Sequence, residues 1–128
     1  MKAEITLTGR PITKKNSSRI VTNRRTGRPM VIPSPQYKIY EEACLWELSA
    51  YRGPKFGDKP VNLKAVYYMP NRRSWPDLAG LLQATCDILE KSKIIDDDKY
   101  IVGFDGSHIA GVDKENPRVD IELEEVGK

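Results

Sequence analysis

Residues 61–69, Val-Asn-Leu-Lys-Ala-Val-Tyr-Tyr-Met, constrain the fold of this chain more than any other stretch. Inward and outward positions alternate along them, and β-branched and aromatic residues are frequent, as a half-buried strand requires. The apolar face of such a strand needs cover, and both flanking segments supply it. Upstream, Ser34-Pro35 places an N-cap hydroxyl before a first-turn proline. The helix predicted from there puts Tyr37, Tyr40, Cys44, Leu48 and Tyr51 on roughly one face and stops near Arg52-Gly53-Pro54. Downstream, Asp77 is placed to cap a second helix running to about Lys91, with Leu78, Leu81, Leu82, Thr85, Ile88 and Leu89 as its buried stripe.

The remaining strands are shorter. Residues 4–8 read as a first strand, and residues 100–104 and 118–123 as an antiparallel pair at the end of the chain. The order β-α-β-α-β-β predicts an α+β single domain, a mixed sheet of about four strands packed against two helices. At 128 residues one domain spanning the whole chain, with a real core, is expected. No apolar run approaches the ~20 residues of a membrane span, and the alternating first residues lack a signal-peptide apolar region, so a cytoplasmic protein is expected. Cys44 and Cys86 both fall inside the helical patterns and read as reduced core thiols.

Charge is distributed unevenly. The net charge is only +3, but no acidic residue lies between Glu4 and Glu41, a stretch holding Arg10, Lys14, Lys15, Arg19, Arg24, Arg25, Arg28 and Lys38. Asp96, Asp97, Asp98, Asp105, Asp113, Glu115, Asp120, Glu122, Glu124 and Glu125 compensate in the C-terminal third. Such asymmetry suggests a polyanion partner for the N-terminal half. The basic segment, residues 9–33, reads as a long loop, with a short hairpin suggested by residues 20–22 and 30–32 about a turn at residues 23–29.

Three features carry potential chemistry: Arg72 and Arg73 after the central strand, Asp77 opening the second helix, and Asp96-Asp97-Asp98 beyond that helix. Gathered carboxylates suit Mg²⁺ or Mn²⁺, which can polarise a phosphodiester and generate a hydroxide near neutral pH. A helix of ~15 residues spans roughly 22 Å, however, so Asp77 and the triplet converge only if the following loop folds back along it. Otherwise Asp77 merely caps a helix and the triplet is a solvated turn. His108 is the sole histidine, so a zinc site is not expected, and with no glycine-rich phosphate loop no nucleotide cofactor is expected either. Trp75 reads as a loop anchor, with stacking on an unpaired base as the alternative.

With these residues in view, the chain resembles the RusA-type Holliday junction resolvases of bacteria and their phages over about residues 4–126. The resemblance is carried by Gly9-Arg10-Pro11-Ile12-Thr13-Lys14-Lys15-Asn16, by Met69-Pro70-Asn71-Arg72-Arg73, and by Pro76-Asp77-Leu78. It continues through Asp87-Ile88-Leu89 to Ile95-Asp96-Asp97-Asp98-Lys99-Tyr100-Ile101-Val102. It implies a homodimer that binds four-way DNA and cuts it with Mg²⁺ or Mn²⁺, in recombination and repair, in a bacterial or phage-encoded setting. Asp77 and Asp98 would hold the metal with Asp97 beside them as a catalytic carboxylate, while Lys14, Lys15, Asn16, Arg72 and Arg73 would contact DNA. The family's D-x-D-N-L-x-K pattern fails at three positions, where Ala79, Gly80 and Gln83 stand for its second aspartate, asparagine and lysine. Ala79 removes a carboxylate, Gln83 removes a cation, and Gly80 weakens the helix start by up to about 1 kcal/mol. Either another carboxylate such as Asp96 or Asp105 compensates, or the protein binds junctions without efficient cutting. An interaction protein that reuses the scaffold is a third reading.

Overall fold

The computed structural model describes residues 1–14, 18–33 and 35–127. Strand β1 (Lys2–Thr8) leads to a separate hairpin, β2 (Ser18–Thr22) and β3 (Pro29–Pro33), followed by helix α1 (Pro35–Ser49). Strand β4 (Val61–Met69) precedes helix α2 (Leu78–Lys91) and a 3-10 turn at Asp98–Tyr100. Strands β5 (Ile101–Gly103), β6 (His108–Val112) and β7 (Arg118–Glu125) complete the chain. The architecture is α+β, with a mixed five-stranded sheet and two helices. The hairpin at residues 20–22 and 30–32 forms, while the side chain of Ser34, expected to cap α1, lies outside the described residues.

The expected antiparallel pair of residues 100–104 and 118–123 does not form. The sheet order is β1-β7-β4-β5, with β6 also on β4. β7 lies antiparallel between β1 and β4, with Ile121 opposite both Ile5 and Ala65. β5 runs parallel to β4 instead. The reason is the connection: α2 carries the chain back to the start of β4, and a strand–helix–strand unit re-enters the sheet in the same direction. β6 was not anticipated. Of its residues, His108-Ile109-Ala110-Gly111-Val112, only Ile109 packs against the core, and Gly111 sits at φ 143° beside a register shift.

β5 and β6 occupy the same edge of β4 in tandem, and side chains fill the gap between them. Ser107 Oγ accepts from Ala65 N at 2.9 Å and donates to Leu63 O at 3.0 Å. Asn62 pairs through its amide with the backbone N and O of Asp105. Ladder hydrogen bonds of the central strand are thus met where no strand is present, as buried backbone groups require.

Alternation sends Ala3, Ile5 and Leu7, then Val61, Leu63, Ala65, Tyr67 and Met69, then Val119, Ile121 and Leu123 to one buried face. Both helices cover it. α1 buries Tyr37, Cys44 and Leu48, with Tyr40 and, just past its end, Tyr51 partly buried; α2 buries Leu81, Leu82, Thr85, Ile88 and Leu89. Tyr67 and Thr85 share a buried hydrogen bond of 2.7 Å, fixing α2 against β4. Both cysteines are free and buried, and burial pushes their thiols up, Cys44 to about 11 and Cys86 to about 12. No described helix is long and apolar enough to cross a membrane.

Candidate acidic site and nucleic-acid interface

Helix α2 organises every chemical feature, because groups gather at both of its ends. At the N-terminal end, Asp77 takes an extended conformation and its carboxylate accepts from Gly80 N at 2.9 Å, satisfying one of the helix's unpaired donors. Gly80 has a reason to be glycine. A Cβ there would lie 3.0 Å from Thr13 Cγ2 and 3.1 Å from the Asp77 carboxylate. Buried Thr13 packs over the helix start, so a side chain there would have to push it or the Asp77 carboxylate aside by a few tenths of an ångström. Ala79 and Gln83 are exposed on α2, one turn apart.

The turn before Asp77 presents the basic pair. Asn71 Oδ1 accepts from Arg73 N at 2.9 Å, and Trp75 Nε1 donates to Asn71 O at 2.6 Å. Trp75 therefore anchors the turn while remaining 40% exposed. Arg72 and Arg73 are both exposed, and neither forms an ion pair among the described residues. Lys14 is engaged: its Nζ lies 3.0 Å from Asp87 Oδ2 on α2 and 5.7 Å from the Tyr37 ring centroid. Lys15 and Asn16 lie outside the described residues.

At the C-terminal end of α2 the chain reverses. Lys93 takes φ 69°, the left-handed conformation common just past a helix end, and donates to Glu90 O. Buried Ile94 and Ile95 then tie the segment down, through Phe56 N to Ile94 O at 2.8 Å and Asp96 N to Gly57 O at 2.9 Å. This reversal brings Asp98 N within 2.9 Å of Glu90 Oε1. Asp97 caps the 3-10 turn by accepting from Lys99 N at 2.9 Å. Oxygens of Glu90, Asp97 and Asp98 lie within 4.8 Å of one another, the one such carboxylate group among the described residues.

Electrostatics at this group are divided. The Asp98 carboxyl is held above the usual carboxylate range, first by the hydrogen bond it shares with Asp97, then by burial and by the neighbouring charges of Glu90, Asp97 and Asp87. Asp97 is held below that range, chiefly because it accepts from Lys99 N. Crowded like charges of this kind are relieved by a cation, and three hard oxygen donors fit a divalent ion such as Mg²⁺.

Of the residues read as a site, Asp97 and Asp98 come together, and Asp77 stands at the other end of the 14-residue α2. Asp96 and Asp105 are outside the carboxylate group. Glu90 was missed from sequence, and so was Asp87, which faces both Lys14 and Asp98. Their i, i+3 spacing near the end of a predicted helix, one reversal before the triplet, was the available signal. A scan against protein-family models matches residues 8–124 to the family described as Endodeoxyribonuclease RusA. No curated protein matches the chain.

Proposed function

Because the chain belongs to the RusA endodeoxyribonuclease family, we propose that it is a junction-directed DNA-binding protein with a metal-dependent, weakened phosphodiesterase site. The observation that carries this reading is the Glu90, Asp97 and Asp98 carboxylate group. Those three side chains would hold Mg²⁺ or Mn²⁺. When bound, such an ion polarises a phosphate and lowers the pKa of its water. The crowding that holds the Asp98 carboxyl above the usual carboxylate range would be relieved by the ion's charge. Arg72 and Arg73 would grip phosphates beside the N-terminal end of α2, giving affinity and register rather than sequence choice. Asp77, which the family pattern assigns to the catalytic set, would act from that same end. The partner is branched, four-way DNA, met by a homodimer of this chain, and the setting is a bacterial or phage DNA recombination pathway.

A second reading, junction binding without efficient cutting, is favoured by Ala79 and Gln83, where the family pattern carries a carboxylate and a lysine. A labelled four-way junction with Mg²⁺ or Mn²⁺ separates the two. Paired nicks that vanish with Asp98→Asn and Glu90→Gln support the nuclease, whereas a shifted but intact junction supports binding alone. Ala79→Asp with Gln83→Lys should raise cutting if the residues beside Asp77 take part in the chemistry, and leave it unchanged if the Glu90, Asp97 and Asp98 group acts without them.

A further inference from the structure

The hairpin β2–β3 is a two-stranded sheet of its own, paired only with itself. Its turn is closed by local bonds. Asn23 N donates to Arg28 O and Gly27 N to Asn23 O, both at 2.8 Å. Asn23 Oδ1 accepts from Arg25 N at 2.8 Å and from Thr26 N at 3.3 Å, and Thr26 Oγ1 accepts from Arg28 N at 3.2 Å. Gly27 supplies φ 70°, which an L side chain rarely adopts. A turn that satisfies its own backbone needs no neighbouring element to hold it.

This turn carries Arg24, Arg25 and Arg28, all exposed, and none forms an ion pair among the described residues. Three guanidiniums within five residues repel one another, and no acidic residue lies between Glu4 and Glu41 to offset them. The tip is thus a concentrated, exposed positive patch suited to a polyanion. Arginine offers planar, bidentate donors suited to phosphates and to guanine edges. Two strands lie about 4.8 Å apart, so a ribbon with its side chains fits the ~12 Å major groove. Five residues per strand extend about 16 Å, more than the ~8.5 Å groove depth.

We infer that the β2–β3 hairpin is a DNA-reading ribbon whose tip arginines, Arg24, Arg25 and Arg28, enter the major groove of a duplex arm. It is a contact separate from Arg72 and Arg73. The inference rests on the reading that this chain binds branched DNA. The test compares the wild-type protein with Arg24→Ala/Arg25→Ala/Arg28→Ala and with Arg72→Ala/Arg73→Ala. Affinity for a four-way junction is read across a salt series, and guanine N7 methylation interference is mapped on the same junction. The tip variant should keep the wild-type Tm, lose affinity on the order of 10- to 100-fold, and lower the salt slope by up to about 2.7. Methylation at N7 should weaken wild-type binding and leave the tip variant indifferent, while the Arg72/Arg73 variant keeps the interference pattern. A wild-type protein that binds the junction, with a tip variant equal in affinity and slope, overturns the hairpin's role and leaves DNA binding intact. Wild-type binding insensitive to N7 methylation overturns the major-groove assignment. A wild-type protein that binds no DNA overturns both.

Discussion

Asp77 caps helix α2, and one substitution separates that job from the catalytic one proposed for it. Asparagine caps helices about as well as aspartate, whereas alanine does not. Asp77→Asn should therefore leave the denaturation midpoint nearly unchanged, and Asp77→Ala should cost about 1 kcal/mol in chemical denaturation. If Asp77→Asn nevertheless abolishes junction cutting, its charge belongs to the chemistry; if cutting persists, Asp77 is a helix cap. Gly80 responds in the opposite way to what the family pattern suggests. Asparagine at that position meets Thr13 and the Asp77 carboxylate, so Gly80→Asn should destabilise despite its better helix propensity.

Among the elements, α2 and the tandem strands β5 and β6 decide where the site lies. The reversal at Lys93 selects which end of α2 the acidic triplet meets, and Ile94 and Ile95 lock that choice by burial. The break between β5 and β6 depends on one hydroxyl. Ser107→Ala leaves Ala65 N and Leu63 O, both on fully buried residues, without their side-chain partner, and should cost about 1–3 kcal/mol by urea denaturation. Helix α1 carries two large apolar side chains on its outer side. Opposite Tyr37, Cys44 and Leu48 it presents Ile39 at 67% exposure and Trp46 at 79%, spaced i, i+7. Large apolar side chains this exposed stand out on an otherwise charged surface.

For the whole molecule, Ile39 and Trp46 offer a place to test the proposed homodimer. Trp46→Glu should shift the proposed homodimer toward monomer in sedimentation, with the monomer still folded; an unchanged mass would place the interface elsewhere. Stability should also follow pH through the surface carboxylates. Arg118 holds Asp113 below the usual carboxylate range by a 2.8 Å hydrogen bond, and Lys2 does the same for Glu122. A depressed carboxylate contributes stability above its unfolded pKa and loses it as pH falls through the folded one. Wild-type protein should therefore have a higher Tm than Asp113→Asn at neutral pH, with the gap closing below about pH 4. Both pairs are exposed, so the gap should be small and should shrink with salt.

The amino-acid pattern alone determined the α+β class, both helices with their buried stripes, the central strand, the hairpin and the basic N-terminal arm. These are local matters, set by periodicity, capping and charge within a few residues of one another. Tertiary structure decided the rest. β7 lies between β1 and β4, β5 runs parallel to β4, and Glu90 rather than Asp77 meets Asp97 and Asp98. Strand order depends on which edges are left unpaired, and carboxylate grouping on the direction the chain takes after Lys93. Strand order leaves no trace in the spacing of residues along the chain, and the spacing of Asp87 and Glu90 marks a helix end without saying which way the chain then turns, because both are settled by contacts between segments far apart in it.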